Sequence, residues 1–417
     1  MSDFKSDFLR TIDQRGFIKQ TTHTAELDEY CSAGVPACYY GCDATADSLH
    51  VGSLVGIMTL RHFQQAGGKP IVLIGGGTTK VGDPTDKEKS RPILTEAEIE
   101  KNAAGIRKAF EPFLTFGDGP TDAVMVNNDD WLSAIGYIQF LRDIGKLFTI
   151  NTMVKQETVA RRLKNEEPYT FLEFNYTLLQ AYDFLELYRR MGCQMQIGGS
   201  DQWGNIVAGA DLIHKADGGQ GFGLTWPLIT TASGAKMGKT ADGAVWLNAD
   251  KRSPYEYWQF WRNTEDADVG RFMKLFTEYT LDEIARYEGL QGADINQAKI
   301  ALANAATTLL HGEQAAKEAE AAASKAFTGG GVSMDLPTFE IATADFTDGP
   351  TTTALLRAGD LVASNGEARR KMGEGAVRVN DEKIAADQTH AWTDILAEVD
   401  AFKVQVGKKR IALVKPV

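Results

Sequence analysis

Two segments far apart in the chain carry residue types suited to a triphosphate: Ala44-Thr45-Ala46-Asp47-Ser48-Leu49-His50-Val51-Gly52-Ser53, and Lys236-Met237-Gly238-Lys239-Thr240 well beyond the middle. The first follows a strand-like run, Pro36-Ala37-Cys38-Tyr39-Tyr40, and opens an apolar helix. Its small residues and His50 therefore stand where backbone N–H groups and the positive end of a helix dipole favour phosphate. The second offers two lysines and a hydroxyl on a glycine-bearing loop. It narrowly misses the P-loop pattern, which reads G-x-x-x-x-G-K-[ST] and leads into a helix. Gly238-Lys239-Thr240 fits that pattern, but Ser233 takes the place of the first glycine and Ala241-Asp242-Gly243-Ala244 reads as a turn. Gly75-Gly76-Gly77-Thr78-Thr79-Lys80 likewise fails G-x-G-x-x-G at its last position.

A third pattern lies between them. Residues 171 to 191 are apolar around nearly the whole helical circumference, which predicts burial on more than one side. Tyr176, Gln180 and Asp183 break that rule at spacings of four and three, so they share one narrow face. Buried polar groups cost a few kcal/mol unless partnered, so the stripe suits a polar ligand. A solvent face or pairing with neighbouring strands would explain the spacing equally well.

The elements that must position these groups alternate. Strands are expected near 37–41, 70–75, 123–127 and 194–198, and helices near 49–66, 95–114, 131–148 and 171–191. That order predicts an α/β, Rossmann-like parallel-sheet domain over residues 1–240, with ligands at the carboxyl ends of its strands. Thr95 to Glu98 reads as a capping box, as does Thr280 to Glu283. Residues 241–327 are helical in pattern and predict a separate α-helical bundle, including an alanine-rich helix from about 296 to 327. Thr328-Gly329-Gly330-Gly331 begins a low-complexity linker to about 350, and residues 351–417 read as helix, helix, then strands in a small α+β domain.

Composition narrows the class. With 417 residues and 43% hydrophobic content the chain can bury a large core in two or three domains. Its longest apolar runs are of strand length and Met1-Ser2-Asp3-Phe4-Lys5 lacks the character of a signal peptide, so a cytoplasmic protein without a membrane partner is expected. Cys31, Cys38, Cys42 and Cys193 form no C-x-x-C pair, so no bound metal is expected and inert buried thiols are. The net charge of -12 argues against nucleic acid until its distribution is considered. Residues 351–417 hold 11 Lys+Arg against 9 Asp+Glu, whereas the remainder holds 33 against 47. Arg369-Arg370-Lys371 and Lys408-Lys409-Arg410 are the basic clusters of that tail.

With the two phosphate segments standing in this order, the chain resembles the class I aminoacyl-tRNA synthetases, whose signatures run like HIGH and KMSKS on either side of a Rossmann-type core. Leu179-Gln180-Ala181-Tyr182-Asp183-Phe184-Leu185 and Gln196-Ile197-Gly198-Gly199-Ser200-Asp201-Gln202-Trp203-Gly204-Asn205 extend the similarity to bacterial-type tyrosyl-tRNA synthetases over essentially the whole chain. Residues 364–370 and 377–380 resemble the small RNA-binding module of a ribosomal protein, whose arginine-bearing helix faces RNA.

The resemblance implies an ATP-dependent ligase acting on L-tyrosine and tRNA(Tyr), with Mg2+ as the counter-ion of ATP, no protein-held metal, and a homodimeric assembly. It implies that Tyr39 and Asp183 bond the substrate phenol and that Asp83, Tyr176 and Gln180 hold its amino group. Thr78, Asn128 and Gln202 would support that site. Gly41, Asp43, Gly52, Ser53, Gly199, Asp201 and Lys239 would face the nucleotide or adenylate, and Thr45, His50, Lys87, Arg91, Lys236, Lys239 and Thr240 the departing pyrophosphate. Residues 241–327 would recognise the anticodon, and Arg369, Arg370 and Lys371 would contact RNA. Ser53 stands where the family has a second histidine, and Tyr40 and Cys42 also depart from its pattern. The competing readings are a P-loop or other ATPase, and a non-catalytic RNA-binding protein that has kept a synthetase-like body.

Overall fold

The computed structural model describes residues 3–85, 94–234, 237–240, 243–328, 336–396, 399–407 and 410–417. The chain divides into two units: residues 1–253 with 260–311, and residues 254–259 with 312–417.

The first unit is built on a six-stranded sheet of β1 (Gln20–Thr21), β2 (Ala37–Asp43), β3 (Lys69–Gly75), β4 (Val124–Asn127), β5 (Met195–Gly199) and β6 (Phe222–Trp226), in the order β1-β6-β5-β2-β3-β4. Strands β2 to β6 run parallel to their neighbours and β1 is antiparallel to β6. Ile71, Val72, Leu73 and Ile74 are all buried, as a parallel strand covered on both faces requires. The chain winds from β2 outward to β4, then returns to β5 on the other side of β2. Strand order thus reverses between β2 and β5, and a crevice opens at their carboxyl ends.

The four expected strands are present. β1 and β6 were not anticipated, because β1 is two residues long and the glycine and threonine in Phe222-Gly223-Leu224-Thr225-Trp226 obscure its pattern. Three expected helices are interrupted. The first begins as a 3-10 turn at Val51–Ser53 before Leu54–Gln65. The 131–148 region is divided into Asp129–Leu132, Tyr137–Asp143 and a turn at Gly145–Leu147. The third is divided at Asn175 into Phe171–Phe174 and Tyr176–Met191. Both expected capping boxes form, and a third joins Thr170 to Glu173.

The units do not divide at residues 240 and 327. Helices Val269–Phe276, Leu281–Glu288 and Ile295–His311 belong to the first unit. Arg15 ties them in, donating to the carbonyls of Lys274 (2.9 Å), Thr277 (3.0 Å) and Tyr279 (2.7 Å). The alanine-rich helix breaks at Gly312, whose φ of +88° is open to glycine but strained in an α-helix of L residues.

A short hairpin, β7 (Lys239–Thr240) and β8 (Gly243–Ala244), also belongs to the first unit. The second unit contains a sheet of β9 (Thr338–Ile341), β10 (Val377–Val379), β11 (Glu382–Ile384), β12 (Phe402–Val406) and β13 (Arg410–Pro416), in the order β11-β10-β12-β13-β9. β9 falls inside the stretch expected to be linker; it pairs parallel with β13 and buries Ile341. Asn380 and Asp381, at φ of 49° and 68°, make the two-residue turn between β10 and β11. Helices Thr352–Ala358 and Asn365–Gly373 pack Leu355, Leu356, Ala368 and Met372 onto Phe402, Val404 and Val414.

Candidate active site

At the reversal point between β2 and β5 lies a cavity of about 470 Å³, within the range of small-molecule sites. The Tyr176–Met191 helix presents Tyr176, Gln180 and Asp183 to it, and β2 contributes Tyr39. The polar stripe therefore faces a cavity, not solvent. Asp183 is 2% exposed and accepts from Asn128 Nδ2 (2.8 Å) and Trp131 Nε1 (2.8 Å). Burial dominates these favourable bonds and pushes its carboxyl up to about 8, with the Asp43 charge adding to the effect. Asn128 also donates to Thr78 Oγ1 (3.0 Å) and accepts the Gly77 amide (2.8 Å), so its amide orientation is fixed.

Thr78 in turn donates to Asp43 Oδ1 (2.8 Å), and the Tyr176 hydroxyl donates to Asp43 Oδ2 (3.1 Å). A Cβ on Gly75 would collide with both Asp43 and Thr78, so this junction requires glycine. Asp83 accepts from Gln202 Nε2 (2.9 Å) and from the Thr85 amide (2.9 Å). The Tyr39 hydroxyl is different. It is fully buried and has no hydrogen-bond partner, while desolvation and then the Asp183 charge raise its pKa well above the ordinary phenol value. Gln196 Oε1, from β5, is also buried and unpartnered at the cavity wall.

The other half of the cavity is formed largely by backbone. His50 Nδ1 accepts the Gly52 amide (3.0 Å), which places the proton of the neutral ring on Nε2. The two distant signatures meet here. Val51 N–H donates to the Val245 carbonyl (2.9 Å) and Val245 N–H to the Gly238 carbonyl (3.0 Å). Gly238 has a φ of +89°, and a Cβ there would lie 3.0 Å from both Gly52 N and His50 Nδ1. Past Gly238 the chain enters the β7–β8 hairpin, not the helix that a P-loop needs.

Of the residues singled out in the sequence, Tyr39, Gly41, Asp43, Thr45, His50, Gly52, Ser53, Thr78, Asp83, Asn128, Tyr176, Gln180, Asp183, Gly199, Asp201 and Gln202 all line this one cavity. Lys87, Arg91 and Lys236 lie outside the described residues, as do the side chains of Lys239 and Thr240. Sequence reasoning missed Trp131, Gln196 and Trp246. A glutamine in a fully buried parallel strand was the available signal for Gln196. Trp131 and Trp246 gave none, because only folding brings them to Asp183 and His50.

Burial leaves the thiols of Cys31, Cys42 and Cys193 raised to about 12, as inert cysteines should be. In the second unit, Arg369 and Arg370 are exposed on the Asn365–Gly373 helix, and Glu374 pairs with both Arg370 and Lys371 at 2.8 Å. Lys408 and Lys409 lie outside the described residues, and Arg410 donates to the Leu361 carbonyl (2.8 Å).

Residues 32–328 match the family model of tRNA synthetases class I (W and Y). The chain belongs to that family. This class I synthetase is 58% identical to the tyrosine–tRNA ligase of Caulobacter vibrioides strain NA1000 / CB15N, over 100% of this chain and 99% of the relative. It is 53% identical to that of Rhodospirillum rubrum, over 99% and 98%. A C-terminally truncated mitochondrial tyrosyl-tRNA synthetase of Aspergillus nidulans superposes with a TM-score of 0.70 at 29% identity, covering 78% of this chain and 94% of that one. The three departures from the family pattern prove to be neighbours. Tyr40, Cys42 and Ser53 all line the cavity, and the Tyr40 ring packs edge-on against Trp226 (5.4 Å).

Proposed function

We infer that the chain is an ATP-dependent tyrosine–tRNA ligase, which converts L-tyrosine and ATP to tyrosyl-adenylate and pyrophosphate and then passes tyrosine to the 3′ end of tRNA(Tyr). The carrying observation is the buried Tyr39 hydroxyl without a partner, in the same cavity as Asp183. Leaving such a group unpaired costs about 1–3 kcal/mol, and the hydroxyl of a bound tyrosine would remove that cost while donating to Asp183. Phenylalanine would leave the Tyr39 hydroxyl unpaired and offer Asp183 no donor beyond Asn128 and Trp131, a rule of specificity for which this enzyme family is itself a standard illustration.

In this reading Tyr176, Gln180 and Asp83 receive the ammonium group, with Thr78, Asn128 and Gln202 holding their partners in place. Asp201 meets the ribose, and Gly41, Asp43, Gly52, Ser53 and Gly199 allow the nucleotide to lie close to backbone. The tyrosine carboxylate attacks the α-phosphate of ATP, which arrives with Mg2+ as its counter-ion, and pyrophosphate leaves. No side chain forms a covalent bond. Catalysis is positioning and stabilisation of charge growing on the leaving group. His50, with Nδ1 already engaged, can donate from Nε2; Thr45, Lys236, Lys239, Thr240, Lys87 and Arg91 complete the set.

The assembly is a homodimer in this proposal. Tyr137, Ile138, Leu141, Ile150, Leu163, Phe171 and Leu172 are all exposed large apolar side chains between residues 137 and 172, a concentration that favours a protein partner. Sedimentation equilibrium returning a monomer at micromolar concentration would refute it. The 241–327 helices would read the anticodon, and Arg369, Arg370 and Lys371 the long arm of the tRNA. A cytoplasmic location fits these substrates, and among the described residues no helix is long and apolar enough to cross a membrane.

The deciding experiment is ATP–pyrophosphate exchange with each of the twenty amino acids. Exchange supported by tyrosine is expected. ATP hydrolysis without an amino acid would favour a simple ATPase, and RNA binding without exchange a non-catalytic protein.

A further inference from the structure

The segment carrying the second signature is gripped from a direction its motif does not reveal. The Met237 amide donates to the Ile229 carbonyl (2.9 Å), which pinches the base of a loop. On the side leading into that loop, the Ala232 amide donates to Asp268 Oδ2 (2.6 Å) and the Arg271 guanidinium to the Thr230 carbonyl. Arg271 also bonds Asp268 Oδ1 (2.6 Å), and the Ser233 hydroxyl donates to Glu265 (2.6 Å). Asp268 is 2% exposed and stands at the N-cap of the Val269–Phe276 helix. A carboxylate so buried is tolerated where charge and hydrogen bonds compensate it, and here its compensation comes from the loop and from Arg271. Neither Asp268 nor Arg271 lines the reaction cavity.

We propose that Asp268 and Arg271 are positioning residues for the second signature, clamping the 230–234 stem so that Lys236 and Lys239 meet the phosphates of ATP in the transition state. The stem is then fixed on one side by this clamp and on the other by the packing of Gly238 against Gly52 and His50. The proposal rests on the reading of those two lysines as pyrophosphate contacts. The clamp spends a buried carboxylate and an arginine on main-chain groups of one loop. That arrangement restricts where the loop can go, and misplacement of a reacting group by about an ångström can cost roughly a hundredfold in rate.

Three measurements test it: single-turnover formation of tyrosyl-adenylate, the Kd for tyrosine by equilibrium dialysis, and Tm. Arg271→Ala, at a side chain 44% exposed, is expected to slow adenylate formation roughly ten- to hundredfold with the tyrosine Kd essentially unchanged. Arg271→Lys, which keeps a donor for the Thr230 carbonyl, should recover most of the rate, and Asp268→Asn should fall between them. In a Lys236→Ala/Lys239→Ala background, Arg271→Ala should cost nothing further, because the groups that the clamp positions are gone. Unchanged rates in Arg271→Ala and Asp268→Asn would overturn the proposal. So would an equal loss of tyrosine affinity, or losses that multiply in the lysine-free background. If removing both lysines left the rate intact, the reading of the lysine loop would fail, and the clamp's role with it.

Discussion

The two halves of the cavity are built on opposite plans. Around Tyr39 and Asp183 the groups are side chains, deeply buried and joined in one network from Trp131 through Asn128 and Thr78 to Asp43 and Tyr176. Around His50 and Gly238 the groups are main-chain amides, glycines that permit close approach, and the exposed Thr45. A buried polar network discriminates because each member is costly to leave unpaired, so it must be rigid before the ligand arrives. In the proposed function the other half meets phosphate, which is common to every nucleotide, so it has less to discriminate. It can be assembled from loops whose contacts strengthen only as charge develops.

The contrast can be broken at its strongest point first. His50→Ala or Lys239→Ala should lower the rate of adenylate formation by roughly 10²- to 10³-fold, with little change in tyrosine Kd. Pre-steady-state burst kinetics beside equilibrium dialysis would check this, and equal losses in both quantities would erase the distinction between the halves.

A smaller effect is expected in the half proposed to hold tyrosine. Burial raises the Asp183 carboxyl to about 8, and a phenol donates best to the ionised carboxylate. Tyrosine affinity should therefore rise with pH below 8, by at most about tenfold per unit, and level off above it. Asp183→Asn, which cannot ionise, should bind more weakly and lack that step; isothermal titration between pH 6 and 9 would show it.

Gly238→Ala sharpens the boundary between the halves. At φ of +89°, with its new Cβ 3.0 Å from Gly52 N and His50 Nδ1, it should cost about 1–3 kcal/mol of local strain. Adenylate formation should slow with tyrosine Kd preserved; a variant that keeps the wild-type rate would show that the contact between signatures is dispensable. Smallest is Thr95→Ala, away from both halves, which removes the N-cap of Glu96–Phe110. About 1 kcal/mol of stability should go, seen as a Tm lower by a few degrees, with the adenylate rate unchanged.

Much of this was legible in the chain. The strands at 37–43, 69–75, 124–127 and 195–199 follow from apolar runs between helical patterns, and both anticipated capping boxes formed because a threonine and a glutamate three residues apart suffice to make them. The division of the Phe171–Met191 region at Asn175 was not legible, since apolar residues continue across the break. Nor was β9, a strand within a stretch whose composition reads as linker. Strand pairing is decided by residues far away in sequence, here Leu413 to Pro416.

By itself the sequence determined the local chemistry: the periodicity that puts Tyr176, Gln180 and Asp183 on one helical face, and the two signature segments with the residue types that phosphate favours. Only the tertiary structure decided that the face looks into a cavity, that Trp131 and Asn128 hold Asp183, and that Gly238 closes against Gly52 and His50. Helical spacing is a property of a few consecutive residues, whereas desolvation and long-range contact depend on where the whole sheet carries each strand end.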